Sequence, residues 1–441
     1  MVNGNYIVAI DFGGSRFQGM IGRKNAEGML GIVARESEDS KKFMCRGRIT
    51  NLEDASMCIS KIVKKLENAA NKGKTPDDKI KVKRIYVGVY GQSIHSIEHS
   101  VARIIRESRV AEDDVQVLNE QCRTHAANMS EDAKVYAILP PVYYLDDRII
   151  GNPLGAMCTQ QLKASYQLIV GWPSIDTLAR QAVKKTGYDL AGILVSPISL
   201  AEALLDYEEK KAGSILIHLD FGVTTIAVYK DCSLAFFATV PFGDGLITKD
   251  LSKELDLSEA HAEELKNGYV NLAADGNRAS SGSIEYIIDG KKIDRYRADM
   301  IAGARAREIV ENVYSLVKSE TQSRSFAGSI KLTGEASELK GMAELIATRF
   351  KLNVVRTDIP GEWNGAAGKD DLMAVGLLAG ASENCVEFAR PVAPQPTATD
   401  GTSGTTGNRN GSDVTGTAGG FDDSRSKKSL KDRLKDMFEG V

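Results

Sequence analysis

A run of apolar and β-branched residues, then Asp-Phe-Gly, then a small or hydroxyl-bearing turn and a second apolar run make up Tyr6–Gly22, YIVAIDFGGSRFQGMIG. The chain repeats this pattern at Ser214–Lys230, SILIHLDFGVTTIAVYK. Each copy predicts a β-hairpin with an acidic, glycine-containing tip. The matching acids, Asp11 and Asp220, lie about two hundred residues apart, too far for a solenoid repeat and right for two duplicated domains.

Between and after the hairpins the periodicity changes. Met29–Ala34 is a third short run, followed by a basic turn around Cys45–Arg48. Leu52–Ala70 reads as an amphipathic helix, with Ala55, Ile59, Ile62, Val63 and Leu66 at helical spacing. Ile80–Tyr90 predicts a strand. From Ser93 to about Gly171 the texture is that of a separate α/β insert. It has a strand through His95–Ile104, a helix around Ala111–His125, and strands at Val135–Leu145 and Leu162–Val170 flanking the turn Gly151–Gly155. His95 and His99, four apart on a strand, share no geometry for a metal. Ser174–Gly187 predicts a helix with Ser174 as N-cap and a glycine stop. Ala191–Val195 predicts a strand, and a helix follows Ser196-Pro197 through Glu202 to about Glu209.

In the second half, Ser258–Lys266 predicts a helix on which Glu263 and Lys266 share a face at three-residue offset, which taken alone reads as a solvated surface salt bridge. Ile284–Ile293 is a hairpin turning at Asp289-Gly290. Arg297–Lys318 is a long helix with Arg305 and Arg307 on its polar face. Ile330–Leu332 is a strand broken by Thr333-Gly334, and Leu339–Phe350 is a helix. Asp371–Ala381 is small and apolar, as suits a helix crossing under a cleft.

The hairpin tips carry the candidate chemistry. Gly13, Gly14 and Gly222 let backbone amides approach a ligand, and Ser15, Thr224 and Thr225 add hydroxyl donors. Two such tips facing across a cleft suit a polyphosphate, with Asp11 and Asp220 orienting the waters of a Mg²⁺ ion.

The end of the chain departs from a globular pattern. Residues 391–424 are rich in Gly, Thr, Ser and Asn and bury too little to offset ordering entropy, which predicts a disordered linker. As a flexible coil it spans roughly 30 to 35 Å. Residues 425–441 contain SKKSLKDRLKDMF, in which Leu430, Leu434, Met437 and Phe438 form one helical face. Lys427, Lys428 and Lys431 flank it. A basic amphipathic helix behind a tether predicts a peripheral contact with an anionic membrane surface, strengthened by self-assembly.

Composition sets outer bounds. At 441 residues at least two domains are expected, and a formal net charge of −3 gives no general attraction to nucleic acid. The 6 cysteines (Cys45, Cys58, Cys122, Cys158, Cys232, Cys385) show no C-x-x-C pair, against a zinc site and a disulfide framework and in favour of a reducing cytosol. No apolar leader or bilayer-length run is present, so any membrane contact is expected to be peripheral.

The two Asp-x-Gly hairpins and the Leu332-Thr333-Gly334 loop resemble the actin, Hsp70 and sugar-kinase ATPase fold. The insert and the terminal helix narrow the resemblance to the bacterial cell-division FtsA family, over nearly the whole chain to about Ala389 and again at the terminal helix. The most specific part runs from Arg109-Val110-Ala111-Glu112-Asp113-Asp114-Val115 to Asn152-Pro153-Leu154-Gly155, which looks like the family's 1C subdomain. The resemblance implies an α/β fold in which residues 1–92 and 172–212 form subdomain 1A and residues 93–171 subdomain 1C. Residues 213–241 and 323–390 would form 2A, and 242–322 would form 2B.

It further implies an ATP- and Mg-binding, filament-forming adaptor with at most slow ATPase activity, on the inner face of the plasma membrane at the division site. The C-terminal peptide of the tubulin-like FtsZ would dock on 2B, where Arg305 falls at a basic position. The 1C insert would recruit later division proteins. Asp11, Gly13, Gly14 and Ser15 would form the first phosphate loop, and Asp220, Gly222, Thr224 and Thr225 the second. Glu263 and Lys266 would meet adenine and ribose; Gly334, Ala336 and Ser337 would close over the nucleoside. The alternatives are an actin-like pilus-assembly ATPase and a sugar-kinase-type phosphotransferase.

Three features depart from the family pattern. The second phosphate loop is about two residues short, with a single glycine, Gly222. Glu335 follows Gly334 where the family has a second glycine, and a carboxylate there would crowd or repel a nucleotide unless it points outward. Ser196 stands where several relatives place an acid near the attacking water, leaving Glu202 as a weak catalytic candidate.

Overall fold

Asn5–Phe12 and Arg16–Lys24 pair antiparallel from Asn5↔Lys24 to Phe12↔Phe17, and Leu30–Asp39 adds a third antiparallel strand. Arg84–Val89 lies parallel to the first strand on its other side, and Asp189–Val195 lies parallel to that. The second half repeats the plan. Ser214–Leu219, Thr224–Lys230 and Ser233–Val240 form the antiparallel part, followed by Ile330–Thr333 and Val354–Arg356 in parallel. Both five-stranded sheets thus have the same order and sense, as a duplication requires. Their central strands are near-continuous apolar runs, because helices cover both faces.

This computed structural model describes residues 5–25, 29–105, 109–273, 285–321, 328–357 and 371–388. The expected linker (391–424) and terminal helix (425–441), with Lys427, Lys428, Leu430, Lys431, Leu434, Met437 and Phe438, lie outside the described residues.

The insert leaves the first half after Arg84–Val89 and returns at Pro173–Thr186. Its sheet is built around the long strand Gln161–Gly171, which pairs antiparallel with His95–Ile104, Val142–Leu145 and Lys134–Ile138. Leu162, Ala164, Tyr166 and Leu168 alternate onto one face and pack with Leu118 and Cys122 of the helix Glu112–Ala127 in a small core of their own.

Several local expectations are corrected. The strand predicted over Val135–Leu145 is two strands, Lys134–Ile138 and Val142–Leu145, because Pro140 and Pro141 between them have no N–H to donate. Ser174 is not the N-cap of its helix: Trp172 is, with Pro173 in the first turn. The helix drawn from Pro197 to Glu209 is two, Ser196–Leu204 and Tyr207–Ala212. Asp206 restarts it through a capping box, in which the Glu209 amide donates to Asp206 Oδ1 at 2.8 Å and the Asp206 amide to Glu209 Oε2 at 3.1 Å. Gly245–Leu255 is a helix that the glycines of Pro-Phe-Gly-Asp-Gly concealed.

The helix Leu372–Gly380 is buried along Leu372–Ala379 and packs on Ser196–Leu204 and on the first hairpin. At Gly376 an added Cβ would lie 2.7 Å from Leu200 Cα, so only glycine allows the two helices to approach this closely. Each fully buried leucine or methionine here contributes about 1.5–3 kcal/mol. This helix forms the floor beneath the two tips.

Candidate functional site

Asp11 is the second-to-last residue of its strand, and 98% of its surface is lost to packing. Ser196, first residue of Ser196–Leu204, donates its hydroxyl to Asp11 Oδ1 at 2.5 Å. The close approach depends on Gly88 of the neighbouring strand, where a Cβ would stand 2.2 Å from Ser196 Oγ and 2.9 Å from Asp11 Oδ1. Burial pushes the Asp11 carboxyl up to about 7; the Ser196 hydroxyl works against this and the charge of Asp220 adds to it. Asp220 is pushed up to about 6, again chiefly by burial, with Glu335 and Asp244 adding and the amides of Phe221 and Gly14 opposing. Two acids that line one cavity are therefore both held above the ordinary carboxylate range.

The two tips meet. The Gly14 amide donates to Asp220 Oδ2 at 3.1 Å, linking the halves directly. Ser40 Oγ donates to the Gly13 carbonyl at 2.7 Å and fixes the first tip from behind. Beside these contacts Glu335 reaches across from the second half. Its Oε1 accepts from Ser15 Oγ at 2.8 Å and from Arg16 Nε at 2.7 Å, and Arg16 Nη2 closes on the same oxygen. The carboxylate therefore points inward.

A cavity of about 30 Å³ remains between the tips. That is room for water; pockets that hold drug-sized ligands run from about 300 Å³ upward.

Of the residues expected to bind nucleotide, Asp11, Gly13, Ser15, Asp220 and Gly334 line this cavity. Gly14 sits in the inter-tip bond just described. Thr224 spends its hydroxyl on the Phe242 carbonyl at 2.7 Å, and Thr225 Oγ1 is buried with no hydrogen-bond partner among the described residues. Gly334 has φ 94° and packs so tightly that a Cβ would lie 2.1 Å from the Leu219 carbonyl oxygen. Its own carbonyl accepts from Ser337 Oγ at 2.6 Å; Ala336 and Ser337 are buried in the short turn that follows.

Glu263 and Lys266 are not the solvated pair the sequence suggested. The Lys266 side chain has 0% exposure and donates to Asp244 Oδ2 at 2.5 Å and Glu263 Oε1 at 3.1 Å. Thr248 donates its hydroxyl to Glu263 Oε2. Asp244 comes from the segment that caps Gly245–Leu255, and its amide donates to the Asp220 carbonyl at 3.2 Å, so this buried cluster braces the second tip from below. Lys41 of the first half lies 3.8 Å from Glu263 and 4.6 Å from the Phe221 ring centre.

Glu202 is ion-paired to the buried Lys210 at 2.6 Å and is absent from the cavity lining. Arg305 is engaged by Asp250 and Glu308, both at 2.6 Å. Among the described residues no group of three or more His, Cys, Asp and Glu forms a metal cluster.

Four polar cavity residues were not singled out from the sequence: Arg16, Gln18, Tyr90 and His218. Strand alternation was the available signal for His218, which lies two positions before Asp220 on the same face. Its Nδ1 is 3.1 Å from Thr333 Oγ1, and burial pushes its imidazole down to about 4, so it is neutral at pH 7. The Tyr90 ring meets it edge-on at 6.0 Å. Burial, then the charge of Asp220, holds the Tyr90 phenol well above its ordinary range.

Two duplicated sheets, two acidic tips closing on one cavity and an α/β unit inserted in the first half define an actin-like ATPase fold. Residues 217–375 match the family model described as Cell division protein FtsA, and residues 91–170 the one described as SHS2 domain inserted in FTSA; together they span more than half of the chain. The chain belongs to the FtsA family of cell division proteins.

Among its relatives, the cell division protein FtsA of Porphyromonas gingivalis is 26% identical over 397 residues, covering 86% of this chain and 79% of that one. The FtsA of Neisseria meningitidis is 25% identical over 370 residues, covering 82% and 86%. A solved structure, the PilM-PilN type IV pilus biogenesis complex, matches with a TM-score of 0.59 at 12% identity over 84% of this chain and 97% of that chain. That likeness is one of fold.

Proposed function

We propose that the chain is a nucleotide-binding adaptor of cell division that holds Mg·ATP between the tips at Asp11 and Asp220, with any hydrolysis slow. It polymerises on the inner face of the plasma membrane, tethers FtsZ filaments there and recruits later division proteins through the insert. The observation that carries the nucleotide site is the meeting of two like tips, Gly14 to Asp220, around a cavity lined by both acids. Ser15 and Arg16 supply donors for phosphate, Asp11 and Asp220 would orient the waters of the cation, and Gly334 with Ala336 and Ser337 would carry the nucleoside wall.

Efficient hydrolysis needs a group to polarise water. Glu202 is tied to Lys210, which supports a nucleotide used for assembly rather than rapid turnover. Among the cavity acids, Asp11 and Asp220 are assigned to the cation and Glu335 is held by Ser15 and Arg16, which weighs against a phosphotransferase. The fold likeness to a pilus biogenesis complex is outweighed by the two division-family matches.

Membrane attachment falls to the terminal amphipathic segment, since among the described residues no helix is long and apolar enough to cross a membrane. An acidic FtsZ peptide docking at Arg305 would exchange with Asp250 and Glu308.

Co-sedimentation with anionic liposomes, with and without Mg·ATP, tests the reading. The full chain should pellet, more so with nucleotide, and a chain lacking residues 427–441 should stay in the supernatant. Pelleting of neither protein would remove the membrane role, and pelleting indifferent to ATP would remove the coupling to assembly.

A further inference from the structure

Glu335 opens a short turn whose flanking residues are fixed. Gly334 before it is pinned on Leu219 at φ 94°, and Ser337 after it closes the turn on the Gly334 carbonyl. From this fixed point in the second half the carboxylate takes donors from the first: Ser15 Oγ at 2.8 Å, Arg16 Nε at 2.7 Å, and Arg16 Nη2. One oxygen accepting from a hydroxyl and a guanidinium has the recognition chemistry of a phosphate oxygen. These are also the donors that a phosphate seated on the first tip would use.

The surroundings show what the contact separates. Outside it lies an open groove of about 440 Å³, lined by Arg16, Lys41, Lys61 and Lys65 together with Glu38 and Asp39. Inside is the cavity of about 30 Å³ with Asp11 and Asp220. Ser15, Arg16 and Glu335 belong to the walls of both. Lys61 and Lys65 are paired with Glu38 at 2.6 and 2.7 Å, and an anion entering this groove meets the Arg16–Glu335 pair before it meets the acids behind it. The pair is 32% and 28% exposed, so it is reachable from water and can exchange partners.

We propose that Glu335 is a built-in anion that occupies the phosphate donors of the first tip and clasps the halves together, so that a nucleotide enters only by displacing it. The inference rests on the nucleotide reading above and adds a gate to it. Apparent affinity is the intrinsic affinity reduced by the fraction of molecules with the clasp open. Other actin-like sites with glycine at this position would lack this competition.

The test compares the full chain with Glu335→Ala and Glu335→Gln, the second keeping the side-chain length while removing the charge. Hydrogen exchange without nucleotide is read at the amides of residues 13–16 and 220–222. Mg·ADP carrying a fluorescent ribose label is then titrated. The clasp predicts faster exchange at both tips in Glu335→Ala and roughly tenfold tighter labelled ADP, with Glu335→Gln in between.

Unchanged exchange, or equal affinity in all three proteins, overturns the clasp and leaves the nucleotide site standing. Failure of all three to bind at millimolar ligand overturns the nucleotide reading and the gate with it. Weaker binding by Glu335→Ala also overturns the proposal, since it would make Glu335 a ligand contact instead of a competitor.

Discussion

The Gly14 amide donates to the Asp220 carboxylate at 3.1 Å, and this bond joins the tips of the two duplicated hairpins. The residue at position 14 must be glycine for it to form: an added Cβ would stand 2.6 Å from Asp220 Oδ2. Neither atom can retreat easily, since the Asp220 amide is itself held by the Val223 carbonyl at 3.1 Å. Gly14→Ala is therefore expected to part the tips and to cost about 1–3 kcal/mol, the usual penalty for overpacking. Urea unfolding checks the cost, and unchanged stability would show that the tips separate freely.

Asp11 separates stability from function. Its charge is opposed by burial, so Asp11→Asn removes an unfavourable buried charge while its amide oxygen still accepts from Ser196. The expected result at pH 7.5 is a melting temperature equal to or above that of the natural chain. Mg·nucleotide affinity should fall by on the order of tenfold or more, as when a residue that orients metal-bound water is lost. A lower melting temperature with unchanged affinity would make Asp11 a structural residue only.

Lys266 makes the opposite case. Its ammonium is sealed against Asp244 and Glu263, and Asp244 Oδ1 already has no hydrogen-bond partner among the described residues. Lys266→Met leaves Asp244 buried without its cation and should cost about 3–5 kcal/mol. The double variant Lys266→Met with Asp244→Asn should regain a large part of that loss. Denaturant unfolding of the four proteins forms the cycle, and strict additivity would mean the two residues are not coupled.

These contrasts explain what could be read from the residues alone. The hairpins were legible because strand–tip–strand is a local pattern and the chain writes it twice. The insert strand Gln161–Gly171 was legible because its alternation is local. Lys266 was not: Glu263 three positions before it gives the signature of an exposed pair, and its second, closer partner, Asp244, lies outside that helix. Glu335 could be flagged as a carboxylate in place of glycine, but its direction depends on Ser15 and Arg16, 320 and 319 positions away. Burial and cross-domain partners are set by tertiary packing, which periodicity does not encode.

The insert carries its own pH-dependent anchor. Asp146 and Asp147, with φ 46° and 66°, form the two-residue turn between Val142–Leu145 and Arg148–Ile150. The Asp146 carboxylate accepts from the Thr159 amide at 2.9 Å and hydroxyl at 2.7 Å, and from the amides of Gln160 at 2.9 Å and Gln161 at 3.1 Å. These donors, the Thr159 amide foremost, hold the carboxyl well below its usual range. The folded form therefore binds its proton less readily than the unfolded chain. The resulting stabilisation is fully present above the ordinary carboxylate range and is lost as pH falls below about 4. Asp146→Asn keeps a residue that tolerates positive φ but removes the charge. Its melting temperature should lie below that of the natural chain at pH 7, and the gap should narrow as pH falls toward 3. A gap of constant size across that range would show that the turn is held by shape and not by the carboxylate.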